Sequence, residues 1–148
     1  MKKVELGIVS HGTMRNEDLI PAFRKLLEEL DENNEYSRIL SYCKGIEESG
    51  NYNTLIAENV LDELIDTLDD FAPEYCYFGA LKGDGSDFGY WVSVSRVEQA
   101  IDDDEAIEVS DLSDVPDGFS GNVIVNNYRG TMALYESVIE YREVWAIV

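Results

Sequence analysis

Apolar residues recur at intervals of three and four along the first half of the chain and give way, near residue 73, to short aromatic and β-branched runs. Leu19, Ile20, Phe23, Leu26, Leu27 and Leu30 make one apolar face, with Arg24, Lys25, Glu28 and Glu29 opposite, which predicts a helix. Asn16 or Asp18 offers a side-chain cap, and Pro21 is tolerable only in the first turn. A second helix is predicted from about Glu35 to Glu48 on Tyr36, Ile39, Leu40 and Cys43, and Gly50 and Asn51 break it. The third, from about Thr54 to Phe71, buries Ile56, Val60, Leu61, Leu64, Ile65 and Leu68, and Pro73 stops it. Ahead of them, Val4–Val9 reads as a short strand or extended entry, and Ser10–Thr13 as a turn.

Beyond Pro73 the pattern is that of strands. Tyr75–Leu81 and Phe88–Ser95 are rich in aromatic and β-branched residues, joined by the polar, glycine-rich segment Lys82–Asp87. Arg96–Ile101 fits one helical turn, Ala106–Val109 a short strand, and Asp111, Asp114 and Asp117 fall in a loop. Asn122–Asn127 and Thr131–Glu136 form a predicted hairpin around Tyr128–Gly130, and Tyr141–Val148 a last strand. The expectation is an α+β fold, about three N-terminal helices packed on a C-terminal antiparallel sheet. We read residues 1–148 as one domain, with a helical half at about 16–71 and a strand-rich half at about 75–148.

Charge changes the picture more than length does. Thirty-one Asp and Glu stand against eleven Lys and Arg, a formal net charge of −20. Yet 45% of the residues are hydrophobic, with nine Tyr, five Phe and two Trp, so the acidity is not that of a disordered chain. Such a field repels nucleic acid and anionic membranes and attracts basic proteins. It fits a mimic of nucleic acid, a generally soluble acidic protein, or a protein of high-salt surroundings. Two acidic features are candidates for a partner surface. Glu58, Asp62, Asp66 and Asp69 or Asp70 recur at helical spacing on the third helix, with Glu63 beside them, either as a solvated face or as carboxylates standing in for phosphates. Asp102, Asp103, Asp104 and Glu105 form a run whose consecutive side chains diverge, which suits a solvated loop better than a metal site. Tyr90 and Trp91, with Tyr77, offer an alternative aromatic patch.

Candidate chemistry is sparse. His11 is the one histidine, and it reads first as a turn residue capping local backbone; a hydrolase or metal-dependent enzyme using His11 and nearby acids is an alternative. Cys43 and Cys76 lie in apolar surroundings, which favours two buried free thiols over a disulfide. Gly83–Gly89 leads into a strand rather than a helix and carries two aspartates, so it suits a hairpin turn better than a phosphate loop. Asp84, Ser86 and Asp87 fall short of the calcium-loop spacing. No catalytic residue, cofactor or metal ligand is assigned. The opening apolar run, broken by Glu5, is too short for a signal peptide, and no stretch reaches membrane-spanning length. The expected compartment is the cytoplasm.

The run Tyr77-Phe-Gly-Ala-x-x-Gly-Asp-Gly-Ser-Asp-Phe-Gly-Tyr-Trp91 resembles a family of small acidic proteins of bacteriophages and other mobile elements. So do Asp18-Leu-Ile-Pro-Ala-Phe23 and the ending, Asn122-Val123 with Glu143-Val-Trp145. Where the family pattern has Asp-His-Gly before the Asn-Val step, this chain has Phe119-Ser-Gly121. The resemblance brings no activity or catalytic residue with it. What it implies is context: an inhibitor in the host cytoplasm that occupies the nucleic-acid-binding surface of a basic defence protein without itself binding nucleic acid.

Overall fold

The structure is a computed structural model that describes residues 4–127, 131–136 and 142–147. Among them the chain is α+β with four helices and two sheets. Its contacts cluster into two compact units: one runs through Ala72 and takes in Tyr77–Trp91, the other holds Pro73–Cys76 and everything from Val92 on.

In the first unit, strand β1 (Gly7–Ser10) precedes three helices, α1 (Asn16–Leu30), α2 (Ser37–Ser49) and α3 (Leu55–Asp69). A hairpin follows, β2 (Cys76–Leu81) and β3 (Asp84–Val92), and β3 lies central in the order β1-β3-β2. The apolar faces read from the sequence meet in one core. Leu19, Ile20, Phe23 and Leu27 of α1, Ile39 and Cys43 of α2, and Leu64 and Leu68 of α3 are buried with Phe78, Phe88 and Tyr90 of the hairpin. Phe23 is the hub, with its ring 5.1 Å from Phe78, edge-on, and 5.6 Å from Phe88. Arg24 clips α1 to α2 through Glu47, at 2.5 and 3.1 Å, and also binds Glu28 at 3.0 Å. Gly50 closes α2 in the left-handed conformation (φ 71°) that glycine adopts without penalty.

In the second unit, β4 (Ala106–Val109), β5 (Asn122–Asn126), β6 (Met132–Glu136) and β7 (Arg142–Ile147) form a sheet in that order, and α4 (Val94–Asp102) precedes it. Ala106, Val123, Ile124, Leu134 and Trp145 are buried. The Trp145 indole N–H donates to the Glu74 carbonyl (3.0 Å), and Arg96 donates to that of Cys76 (2.7 Å).

Several expectations are corrected. Helices are not confined to the N-terminal half, because Ser93 caps a full helix at 94–102 where one turn was expected. The sheet is not a single C-terminal one, because β1 pairs with β3 and draws the hairpin into the helical unit. The second sheet is mixed, since β4 runs parallel to β5. The polar segment Lys82–Asp87 is mostly strand: the turn is Lys82–Gly83, and Gly83 takes φ 96°. Pro21 lies past the first turn of α1, which begins at Asn16. Its missing N–H deprives the Glu17 carbonyl of a helical partner, at a residue exposed to solvent. Helix α1 has no side-chain cap of its own; Asp18 instead accepts from Thr13 (2.6 Å) and Arg15 (2.8 Å). The expected turn at Tyr128–Gly130 lies outside the described residues.

Candidate functional site

Helix α3 positions the first candidate surface. Thr54 starts it, its hydroxyl accepting from the Ala57 amide at 3.0 Å. Ala57, Val60, Leu64 and Leu68 are buried, and the helical period turns Glu58, Asn59, Asp62, Glu63 and Asp66 outward, with Asp70 just beyond the last turn. Two sequence assignments change here. Asp69 is half-buried and accepts from the Phe78 amide (2.8 Å), tying α3 to β2, so Asp70 and not Asp69 continues the outer row. Ile56 does not join the buried stripe: the stripe centres on Leu64, about 80° around the helix from it. Ile56 is 66% exposed and Leu55 71%, two aliphatic side chains opening an acidic face. The sequence pattern misplaced Ile56, because an aliphatic residue in the first turn of a helix scores as core.

The Lys and Arg ion pairs formed among the described residues lie elsewhere. Arg24 and Lys44 meet Glu28 or Glu47, Arg15 meets Glu17 and Asp18, and Arg142 meets Glu136. None of these ion pairs reaches the α3 row.

The second acidic candidate, Asp102–Glu105, is exposed and belongs to the other unit. It is the tight turn that ends α4. Asp103 accepts from the Gln99 side chain (3.0 Å), and Asp104 holds a left-handed backbone (φ 60°). Among the described residues no group of three His, Cys, Asp or Glu converges as a metal site.

The aromatic patch does not form as expected. Tyr90 is only 1% exposed, and its hydroxyl donates to the Leu68 carbonyl at 2.7 Å. Burial raises its pKa, so it stays a neutral donor. Trp91 is half-buried, its indole N–H held by the Gly79 carbonyl (2.9 Å). On alternating strand positions the two point to opposite faces of β3, and the core claims Tyr90.

His11 is placed by a different device. β1 pairs with β3 through Gly7↔Tyr90 and Ile8↔Gly89, then bulges before Ser10↔Phe88, which brings the following turn over β3. There Asp87 accepts from the Gly12 amide (3.0 Å) and meets His11 Nδ1 at 2.6 Å through the same oxygen, and the Thr13 amide donates to the Ser86 carbonyl (3.1 Å). Asp87 is buried while the imidazole is 75% exposed at its side chain. An oriented imidazole is the second half of a general base. No thiol or hydroxyl among the described residues is hydrogen-bonded to this one, however, and the contacts serve to fasten the turn. Asp84, nearby, is held below the usual carboxylate range, chiefly by the Ser86 hydroxyl at 2.7 Å. Sequence spacing gave no sign of the His11–Asp87 pair, 76 positions apart. Neither cysteine completes a Cys–His pair: both are buried, free thiols, and burial pushes each up to about 12.

Compared with protein-family models, curated proteins and solved structures, the chain matches none. No helix of the described residues is long and apolar enough to cross a membrane.

Proposed function

We propose that this is a non-enzymatic acidic binding protein that presents carboxylates in place of nucleic-acid phosphates to a basic, nucleic-acid-handling partner, and so blocks it. The observation that carries the reading is the outer row of α3, Glu58, Asp62, Glu63, Asp66 and Asp70, exposed together and facing no basic ion-pair partner among the described residues. These five span about 18 Å of helix axis, roughly one charge per 4 Å, beside one phosphate per 3.4 Å along a DNA strand. The exposed run Asp102–Glu105 supplies a second acidic element on its own unit. The resemblance to mobile-element proteins supports a host defence protein as the target and the host cytoplasm as the place of action. The burial of Tyr90 weighs against the competing aromatic patch.

The test is capture from a bacterial lysate at low salt, with elution by duplex DNA at constant ionic strength. We expect DNA to release a nucleic-acid enzyme that a folded E58Q/D62N/E63Q/D66N/D70N variant fails to capture. Equal capture by that variant would remove α3 from the account. A partner that salt releases and DNA does not would end the mimicry reading.

A further inference from the structure

The first unit carries a cleft that shares only Asp70 with the α3 row. Leu30 and Asp31 end α1, Glu35 and Tyr36 lead into α2, and Asp70 and Phe71 follow α3; together they line an open recess of about 230 Å³. The Tyr36 and Phe71 rings stand 5.7 Å apart at 61°, edge to face. Leu30 is buried, and both rings are half-buried. Asp31 is held in place by the Glu35 amide (2.8 Å) and the Tyr36 amide (3.1 Å), one to each oxygen. Burial, then Glu35, Asp70 and Asp31 in that order, raise the Tyr36 hydroxyl, which marks three carboxylates close enough to act on the ring's polar end.

Two aromatic rings over an apolar floor, ringed by carboxylates, are complementary to one chemistry: a delocalised or alkyl-substituted cation whose stem is apolar. A hard metal ion is a poor match. It requires a cage of oxygens, whereas here the walls are rings and Asp31 already accepts two backbone amides. We infer that this cleft binds an alkylammonium or guanidinium group, stacked against Tyr36 and Phe71 and neutralised by Asp31, Glu35 and Asp70. The group is carried either by a free polyamine or by a lysine or arginine of a protein. The inference rests on the cleft alone and holds whether or not the α3 row binds a partner.

The experiment is a ¹H–¹⁵N NMR titration of the whole chain with butylammonium, then with methylguanidinium, at fixed ionic strength against sodium. We expect saturable shifts confined to residues 30–36 and 70–71, which sodium does not produce. D70N and F71L should each weaken binding about fivefold. D70N changes an exposed side chain and stays folded even if F71L does not. A fold-preserving E58Q/D62N/D66N variant should bind these probes as the native chain does, which separates this site from the proposed function. Spermidine and a short Gly/Ser peptide carrying one arginine then distinguish the two sources by relative affinity. Shifts spread alike over α3 and Asp102–Glu105 would reveal only a counterion atmosphere and overturn the inference, as would unchanged binding by D70N.

Discussion

A Cβ built on Gly89 stands 2.0 Å from the carbonyl oxygen of Gly7 and 2.9 Å from its carbon, backbone atoms that cannot swing aside as a side chain would. At Gly85, four positions earlier on the same strand, the same Cβ meets nothing within 4 Å. Gly89→Ala must therefore push β1 off β3, and with it the turn that Asp87 fastens. We expect a loss of about 3 kcal/mol in urea unfolding, with Gly85→Ala changing stability by about 0.5 kcal/mol or less; equal effects would refute the close approach. The cysteines make a second case at this scale. Their folded values near 12 lie above an ordinary thiol value of 9.0. Below pH 9 both states keep the proton and the contribution to stability is whole. Between pH 9 and about 12 only the unfolded chain ionises, so stability falls as pH rises, by up to about 1.4 kcal/mol per pH unit for each thiol. Ellman's reagent at pH 8 should label the native protein no faster than it unfolds and label the urea-unfolded chain at once. Two rapidly reacting native thiols would contradict the burial.

At the scale of elements, what was legible followed from period and punctuation. The cores of α1 and, Ile56 apart, of α3, the stop before Pro73 and the strands near 106, 122 and 132 were plain, because their apolar periods or β-branched runs are local to each segment. What was not legible depended on distant pairing. Nothing in Gly7–Ser10 announces that it will lie along β3, and the aspartates and glycine of 84–87 read as a turn although they continue β3 beside β2. The His11–Asp87 contact and the Tyr36–Phe71 cleft arise from the same kind of long-range closure. The α3 row was visible in sequence, and its cost follows from position. Asp66 has like charges at Asp62, Glu63 and Asp70 and sits near the helix C-terminus, where the dipole disfavours an anion. Glu58 lies in the first turn, where the dipole favours one. Asp66→Asn should therefore stabilise the protein by about 0.5 kcal/mol, and Glu58→Gln should leave it nearly unchanged. Equal gains from both in thermal unfolding would mean that general charge, not the position on α3, sets the cost.

For the whole molecule, a net charge of −20 predicts that folding and the proposed binding respond to salt in opposite directions. Folding gathers the carboxylates, so screening relieves the native state more than the expanded chain, and Tm should rise with sodium chloride. A gain of about 1 kcal/mol corresponds to roughly 4 °C at this size. Since the Debye length falls from about 10 Å at 0.1 M to about 3 Å at 1 M, most of the rise should be complete by a few tenths molar. A salting effect on apolar surface would instead continue to climb. Capture of a basic partner on the α3 row should weaken over the same range, because the cations it brings are screened from the same carboxylates. Scanning calorimetry across the salt series, run beside the capture assay, separates these terms. Opposite trends would show a fold that bears a repulsive cost for a surface used in binding. A Tm indifferent to salt would show that the acids cost the fold little, and the charge would then lend no support of its own to a partner surface.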